Sequence, residues 1–389
     1  MIKIIKNTFF ILFLLLFFSI ININAKTVKI ARDKTQLKDG PGNYFDIITV
    51  LKIGTPVEYI KKSTEDSGWI EVKYKDKKGF ISKIALKESV STDYNPFSEF
   101  NEEFDTKKSS EIAPASYTAA IKGFALDYAR KKGFDPQNLD ELLALTEFKK
   151  KDYNKVMRET DMAYFPKDDG ELIGIEEGFI NDRMEAIGLT VSLNVLKQGV
   201  VTDEEMTKRL NVIANILNRQ TWDYDVTYRV WIIKDSEPVA YSGPGGFIFV
   251  SSALLEILTD YRELVAIMAH EVGHIAMRHG IRDIAVEQAR YSAEKAFDEL
   301  DEHMDEDTLE VSEELDEVID KAMEACALVR DDKEEYEADS ISKELLRRYK
   351  IESKYLIDAL NKMTFALGDK YPQYKKQIQK RIKKLKRDK

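Results

Sequence analysis

The chain has 389 residues, 43% of them hydrophobic and 33% charged, with a formal net charge of -10. That is enough for roughly two or three domains with a substantial core, and too apolar for a disordered protein. The acidic balance argues against nucleic acid as a partner, because a phosphate backbone needs clustered cations, and a single cysteine, Cys326, excludes an intrachain disulfide.

In chain order, residues 1–25 combine a basic start at Lys3 and Lys6, an unbroken apolar run from Phe9 to Phe18 and a small residue at Ala25. This layout predicts a secretory signal peptide, and with it export to a periplasm. An uncleaved membrane anchor is the alternative, since counting Ile20 to Ile23 lengthens the apolar run toward a spanning length. Residues 27–86 alternate short apolar and polar runs between the turn signals KDGPGN, KIGT, EDSGW and KDKKGF. Such spacing predicts a small all-β unit of about five strands. The DGPG and IGT turns, the Gly68-Trp69 pair and the Gly79-Phe80 pair together resemble a bacterial SH3-like domain. That resemblance implies a binding module for a cell-envelope ligand and no catalysis.

Residues 87–112 are polar and read as a linker. Beyond them, helical periodicity dominates. Ile121, Phe124, Ala125, Tyr128 and Ala129 form one apolar stripe, and Ile187 to Val195 is read as a further helix. A helix opening at Asp203 has an acidic first turn and continues through Ile213 and Leu217. VTYRVWIIKD and FIFV are strand candidates separated by the turn-rich SGPGG.

The next helix carries the chemistry. Asp260 with Glu263 predicts a capping box, Leu264 to Met268 is apolar, and Gly280 is expected at the C-terminal cap. Within it, His270, Glu271 and His274 form HExxH. Positions i and i+4 share one helical face, so both imidazoles can reach one zinc ion, and Glu271 stands where its carboxylate can take a proton from water at the metal. Gly273 costs about 1 kcal/mol against alanine in a helix, which implies that something packs closely there. Such a zinc site takes a third protein ligand and keeps one position open. The metzincin pattern requires histidine at position 280, which is glycine, so a carboxylate from a second helix is expected. KEEYEADSISKELL offers Glu334, Glu335 and Glu337, with Glu335 and Asp339 on one face. His279 is read as structural and His303 as solvated.

HEVGH followed by EYEAD resembles the M48 group of zinc peptidases, whose second motif is ExxxD. The resemblance implies Glu335 as third ligand of a single Zn2+ per chain, with Asp339 as a carboxylate that orients a ligand or shares in proton handling. PVAYSGPGGFIFV is similar to the family segment with an edge strand ending in Pro-Gly-Gly, although Val239 stands where asparagine is usual. Many relatives carry His-Pro followed by arginine near the end of the domain. Here Tyr371-Pro372 stands there with Gln377 near the expected arginine, and the Tyr371 phenol becomes a candidate oxyanion donor.

The expected architecture is α+β: a small all-β SH3-like barrel followed by a mainly helical zincin peptidase domain over residues 113–389 with a small β-sheet. An acidic helical insert at about 281–330 is expected as a solvated cap or a lid over the cleft. The basic C-terminal tail from Lys375 is expected as a solvated helix end or a peripheral membrane contact. The expected reaction is zinc-dependent endopeptidase cleavage of a protein or peptide substrate, added as a strand to the edge formed by Gly246, Phe247, Ile248 and Phe249 and continuing to Val250. An envelope chaperone or assembly factor that holds clients with little turnover is the alternative.

Overall fold

The structure is a computed structural model, which describes residues 26–32, 35–66, 68–86, 111–112, 122–123, 125–126, 129–130, 139–160, 162, 171–175, 182–279 and 330–387. The expected signal segment, most of the expected linker, and the expected insert at 281–329 with Cys326 and His303 lie outside them. Two compact units divide the chain: residues 1–41 with 47–111, and residues 42–46 with 112–389.

In the first unit, β1 (Lys26–Lys29), β2 (Thr35–Lys38), β3 (Ile47–Leu51), β4 (Pro56–Lys62), β5 (Trp69–Tyr74) and β6 (Lys77–Ser82) form antiparallel pairs in the order β1-β4-β5-β6-β2-β3, and the short β7 (Glu111–Ile112) follows β3 in the same sheet. Six strands stand where the turn spacing predicted about five. Strand alternation supplies their core: Leu37, Leu51, Val57, Ile70, Val72 and Ile81 are buried on one side.

The second unit is mainly helical. Its helices are α1 (Leu139–Leu145), α2 (Lys150–Glu159), α3 (Asp182–Leu196), α4 (Glu204–Asn218), α5 (Ser252–Ile257), α6 (Tyr261–Ala276), α7 (Asp332–Arg348), α8 (Lys354–Leu367) and α9 (Pro372–Arg387). A three-stranded sheet of β8 (Arg229–Ile233), β9 (Ala240–Gly243) and β10 (Phe247–Ser251) sits among them. Ala125 and Ala129 of the expected first stripe are buried, whereas Ile121, Phe124 and Tyr128 fall outside the described residues. Strand alternation gives the sheet two apolar faces. Val230, Ile232, Ile248 and Val250 join the core with α4 and α6, while Trp231 stacks with Phe247 and Phe249 on the other.

The strand order is β8-β10-β9, so β10 pairs on both sides, parallel to β8 and antiparallel to β9. This corrects the expected substrate edge. Phe247, Ile248 and Phe249 are interior strand residues and Gly246 lies in the turn that leads into them, so β10 has no free main chain for an incoming strand. The other flank of β8 is closed by side chains. Asn211 and Asn215 of α4 each donate to a β8-side carbonyl and accept from the same residue's N–H, Val230 for Asn211 and Tyr228 for Asn215. Asn218 continues the row by donating to the Val226 carbonyl. The match is geometric: a helical step of four residues rises about 6 Å and a strand step of two about 6.6 Å. Val201 N–H adds a bond to the Ile232 carbonyl. Of this sheet's outer strands, β8 is thus occupied, and β9 carries the open edge among the described residues.

Because Asn215 is buried and satisfies both main-chain groups of Tyr228, replacing it with leucine leaves two orphaned polar groups. Asn215→Leu is expected to lower unfolding stability by roughly 2–5 kcal/mol, read as a shifted urea midpoint at unchanged slope.

Candidate metal centre

Helix α6 begins with the expected capping box: Asp260 accepts from Arg262 N–H, and the Glu263 carboxylate accepts from Asp260 N–H. Its end differs from expectation. The helix stops at Ala276, and the Arg278 N–H bonds to the Ile275 carbonyl while the His279 N–H bonds to the His274 carbonyl. This is the Schellman pattern, with Arg278 in the left-handed region at φ 59. Arginine there is strained relative to glycine, and a bidentate pair of the half-buried Arg278 with the buried Asp223, at 2.5 and 2.8 Å, holds it in place. Turning the chain back in this way puts the His279 ring beneath His274.

Helix α7 packs along α6. The close approach foreseen at Gly273 is to this helix: a Cβ on Gly273 would stand 3.0 Å from the Ala338 carbonyl oxygen and 3.2 Å from the Ile341 Cβ. Asp331 caps α7 by accepting from the Glu334 N–H. One helical turn apart on α7, Glu335 and Asp339 are both turned inward and buried. Of the three glutamates considered, Glu335 reaches the histidine pair, Glu337 reaches His279, and Glu334 lies in the first turn.

His270, His274 and Glu335 bring one ligand atom each within 4.8 Å of the others. The His270 and His274 Nε2 atoms are 3.0 Å apart, Glu335 Oε2 is 3.4 Å from His270 Nε2, and Glu335 Oε1 is 3.6 Å from His274 Nε2. Ligands about 2.0–2.2 Å from a tetrahedral zinc stand roughly 3.4 Å apart, so the spacing fits one ion. The tautomers fit as well. His279 Nε2 donates to Glu337 at 3.0 Å, leaving its Nδ1 to accept from His274 Nδ1 at 2.8 Å. His274 therefore directs its Nε2 lone pair at the centre. Asp339 Oδ1 lies 3.0 Å from His270 Nδ1 and does the same for that ring.

Three electron-rich atoms this close require a positive charge among them. Without a metal, the Arg381 guanidinium and a proton favoured on His270 supply it. Burial and the Arg381 charge oppose protonation of His270, but hydrogen bonds to Asp339 and Glu335 prevail and raise it to about 9. Burial, then Arg330 and His270, push His274 well below its ordinary value and keep it neutral. Glu335 is held down at about 2: desolvation would raise it, and Arg381 and His270 overcome that cost. Glu271 is buried beside the group, and desolvation raises its carboxyl, making it a stronger base than an ordinary glutamate.

The tail is more than a solvated helix end. Its lysines face outward, but Gln377, Ile378, Arg381, Ile382 and Leu385 are buried. Arg381 lies at the centre of this face: Nη1 is 2.6 Å from Glu335, Nη2 is 2.7 Å from Asp339, Nε donates to Asp339 at 3.0 Å, and Nη2 is 3.2 Å from both His270 ring nitrogens. The arginine sought near position 377 is thus supplied one helical turn later. Sequence spacing pointed to Gln377, and only the i, i+4 relation along α9 could have drawn attention to Arg381. Tyr371 is 38% exposed with the Lys370 ammonium over its ring, whereas Tyr374 is the phenol whose surroundings include Glu335 and Glu271; burial, then those two charges, raises it well above the ordinary tyrosine value.

Residues 202–388 match the model of peptidase family M48. The metalloprotease LoiP of Escherichia coli (strain K12) is 38% identical over 77 residues, covering 20% of this chain and 29% of that protein. The metalloprotease YcaL of the same organism is 29% identical over 90 residues, 23% of this chain and 34% of the relative. A putative β-barrel assembly-enhancing protease of Vibrio cholerae serotype O1 is 28% identical over 95 residues, 24% and 19%. The chain spans between 19% and 34% of the length of these three relatives.

Two outcomes are expected of the metal centre. His279→Ala removes the acceptor that orients His274 and should weaken zinc binding about 10–100-fold in chelator competition. Because His270 is protonated below about 9, zinc uptake at pH 7 should release close to one proton, and affinity should climb about tenfold per pH unit up to that value, seen by calorimetry in buffers of different ionisation enthalpy. The sign for metal-free stability is opposite. A group raised on folding from 6.5 to about 9 stabilises fully below its unfolded value, and that contribution is lost as pH rises through about 9.

Proposed function

We propose that the chain is a zinc endopeptidase that cuts extended polypeptides, with His270, His274 and Glu335 holding the metal. The observation that carries this reading is the convergence of two Nε2 lone pairs and one carboxylate beside a buried, basic Glu271. The match of 202–388 to an M48 peptidase model supports it. Two imidazoles and one carboxylate suit zinc, a borderline ion that takes nitrogen and oxygen donors. Once bound, zinc supplies Lewis acidity toward a carbonyl oxygen and toward water.

The chain's own groups perform the proton work. Glu271 takes a proton from the attacking water and delivers it to the leaving amine, a task suited to a carboxylate whose basicity burial has raised. Asp339 and Arg381 fix the His270 ring and the Glu335 carboxylate, and Glu337 with His279 fixes His274. The substrate strand docks on β9. Ser242 pairs with Ile248, and its carbonyl accepts from Arg330, so its main-chain groups point away from β10 toward the open edge. Main-chain pairing of this kind selects extended conformation over particular side chains, which suits unfolded or unassembled proteins.

The N-terminal resemblance and the name of the Vibrio cholerae relative support a setting outside the cytoplasm, with envelope proteins as substrates and an envelope ligand for the first unit. Among the described residues no helix is long and apolar enough to cross a membrane.

Glu271→Gln should reduce cleavage of an unfolded test protein by about 10²–10⁴-fold while zinc content stays at one per chain. Full retention of client binding and of cellular function by this variant would instead favour the chaperone reading.

A further inference from the structure

Arg330 immediately precedes the N-cap of α7, and it belongs to none of the bonds that assemble the metal centre. Its position is nevertheless built with care. The Gln377 side chain donates to the Arg330 main-chain carbonyl at 2.7 Å, anchoring the residue to α9. From there the side chain reaches across to β9, where Nη2 donates to the Ser242 carbonyl at 2.6 Å. Its other terminal nitrogen, Nη1, is buried and has no hydrogen-bond partner among the described residues, and the same holds for Ser242 Oγ.

A buried charged donor left without an acceptor is strongly disfavoured relative to water unless something completes it. The direction in which an acceptor would arrive follows from the neighbours. Ser242 belongs to the open strand edge, and β9 packs against the HExxH helix. The guanidinium is close enough for its charge to act on both Glu271 and His274, lowering each. It therefore touches the strand edge offered to an extended peptide and acts on the residues proposed to cut it. The Ser242 hydroxyl also faces Glu271 and favours its charged form, although its oxygen stays outside hydrogen-bonding geometry.

We infer that Arg330 binds the carbonyl oxygen of the scissile peptide bond through Nη1 and stabilises the negative charge that develops there. The inference rests on the endopeptidase reading. As the water oxygen bonds to the carbonyl carbon, the π electrons move onto the carbonyl oxygen and Arg330 donates to it, while Glu271 takes the water proton. When the C=O bond re-forms, the C–N bond breaks and that proton goes to the amine. Arginine suits the role because its planar fork can hold Ser242 and substrate together.

The test uses the full-length, zinc-loaded chain with an internally quenched peptide and a phosphonamidate peptide, which mimics the tetrahedral oxyanion. Arg330→Ala should lower kcat about 100-fold or more with KM changed less than about threefold, and weaken phosphonamidate binding by a comparable factor. Zinc content and Tm should match wild type, Arg330→Lys should retain part of the rate, and added guanidinium ion should partly restore Arg330→Ala. A defect confined to KM, a faster variant, or unchanged phosphonamidate affinity would overturn the assignment; the second would mean that Arg330 shields the strand edge. Wild type that cuts no peptide counts against the endopeptidase reading itself, and the phosphonamidate comparison still decides Arg330 in that case.

Discussion

Everything at the candidate metal centre depends on how closely two helices approach. Glu335 can face the histidines only because α7 lies against α6 at Gly273, where a single added carbon would stand 3.0 Å from a carbonyl oxygen. Alanine at this position would be the better helix former by about 1 kcal/mol. The helix gives up that propensity, and in return carboxylates from α7 come within 3.0 to 3.6 Å of imidazoles on α6. Ser342 reinforces the contact by donating to the Ala266 carbonyl.

Such an approach gathers charge in a place where water cannot screen it. Glu271, Glu335 and Asp339 are all buried in one region with His270, His274 and Arg381. Buried carboxylates are costly unless paired and fully hydrogen-bonded. Arg381 pairs with two of them at once, and His270 bridges the same two. Among the described residues Glu271 has no such ion pair, and burial raises its carboxyl while the others are lowered. The same burial thus yields two kinds of acid: Glu335 and Asp339 held ionised by Arg381 and His270, and Glu271 left more basic than an ordinary glutamate. His279 and Glu337 extend the arrangement outward on the opposite side of the pair. For the two glutamates the difference lies in their partners, since both are buried and only Glu335 is paired with Arg381.

The small sheet shows a comparable division of labour. Asparagines spaced along α4 take up the main-chain groups flanking β8, pairing with alternate residues as a neighbouring strand would. The side chains that close one flank leave β9 to present main chain at the other. The turn between β9 and β10 is made by Gly245 and Gly246 with φ of 77 and 92, and it places the interior strand next in the chain after the exposed one. The strand that carries the more hydrophobic sequence is therefore the one that is covered.

Local pattern was sufficient for what depends on neighbours in sequence. HExxH put two imidazoles on one face, the Asp260 capping box marked where the helix starts, and the ExxxD spacing put Glu335 and Asp339 on one face of another. The α+β character was legible because strand and helix periods differ. What the tertiary structure decided are relations between elements that no spacing encodes. Arg381 was hidden in a basic tail because burial depends on which face of α9 packs inward. His279 was legible as structural but not as the partner of His274, because that partnership arises only when Arg278 reverses the chain. FIFV looked like an edge and is interior, since the hydrophobicity of a strand says that it is covered but not which strands cover it. Side-chain chemistry is written residue by residue, whereas its position depends on packing, and packing is a property of surfaces assembled from distant parts of the chain.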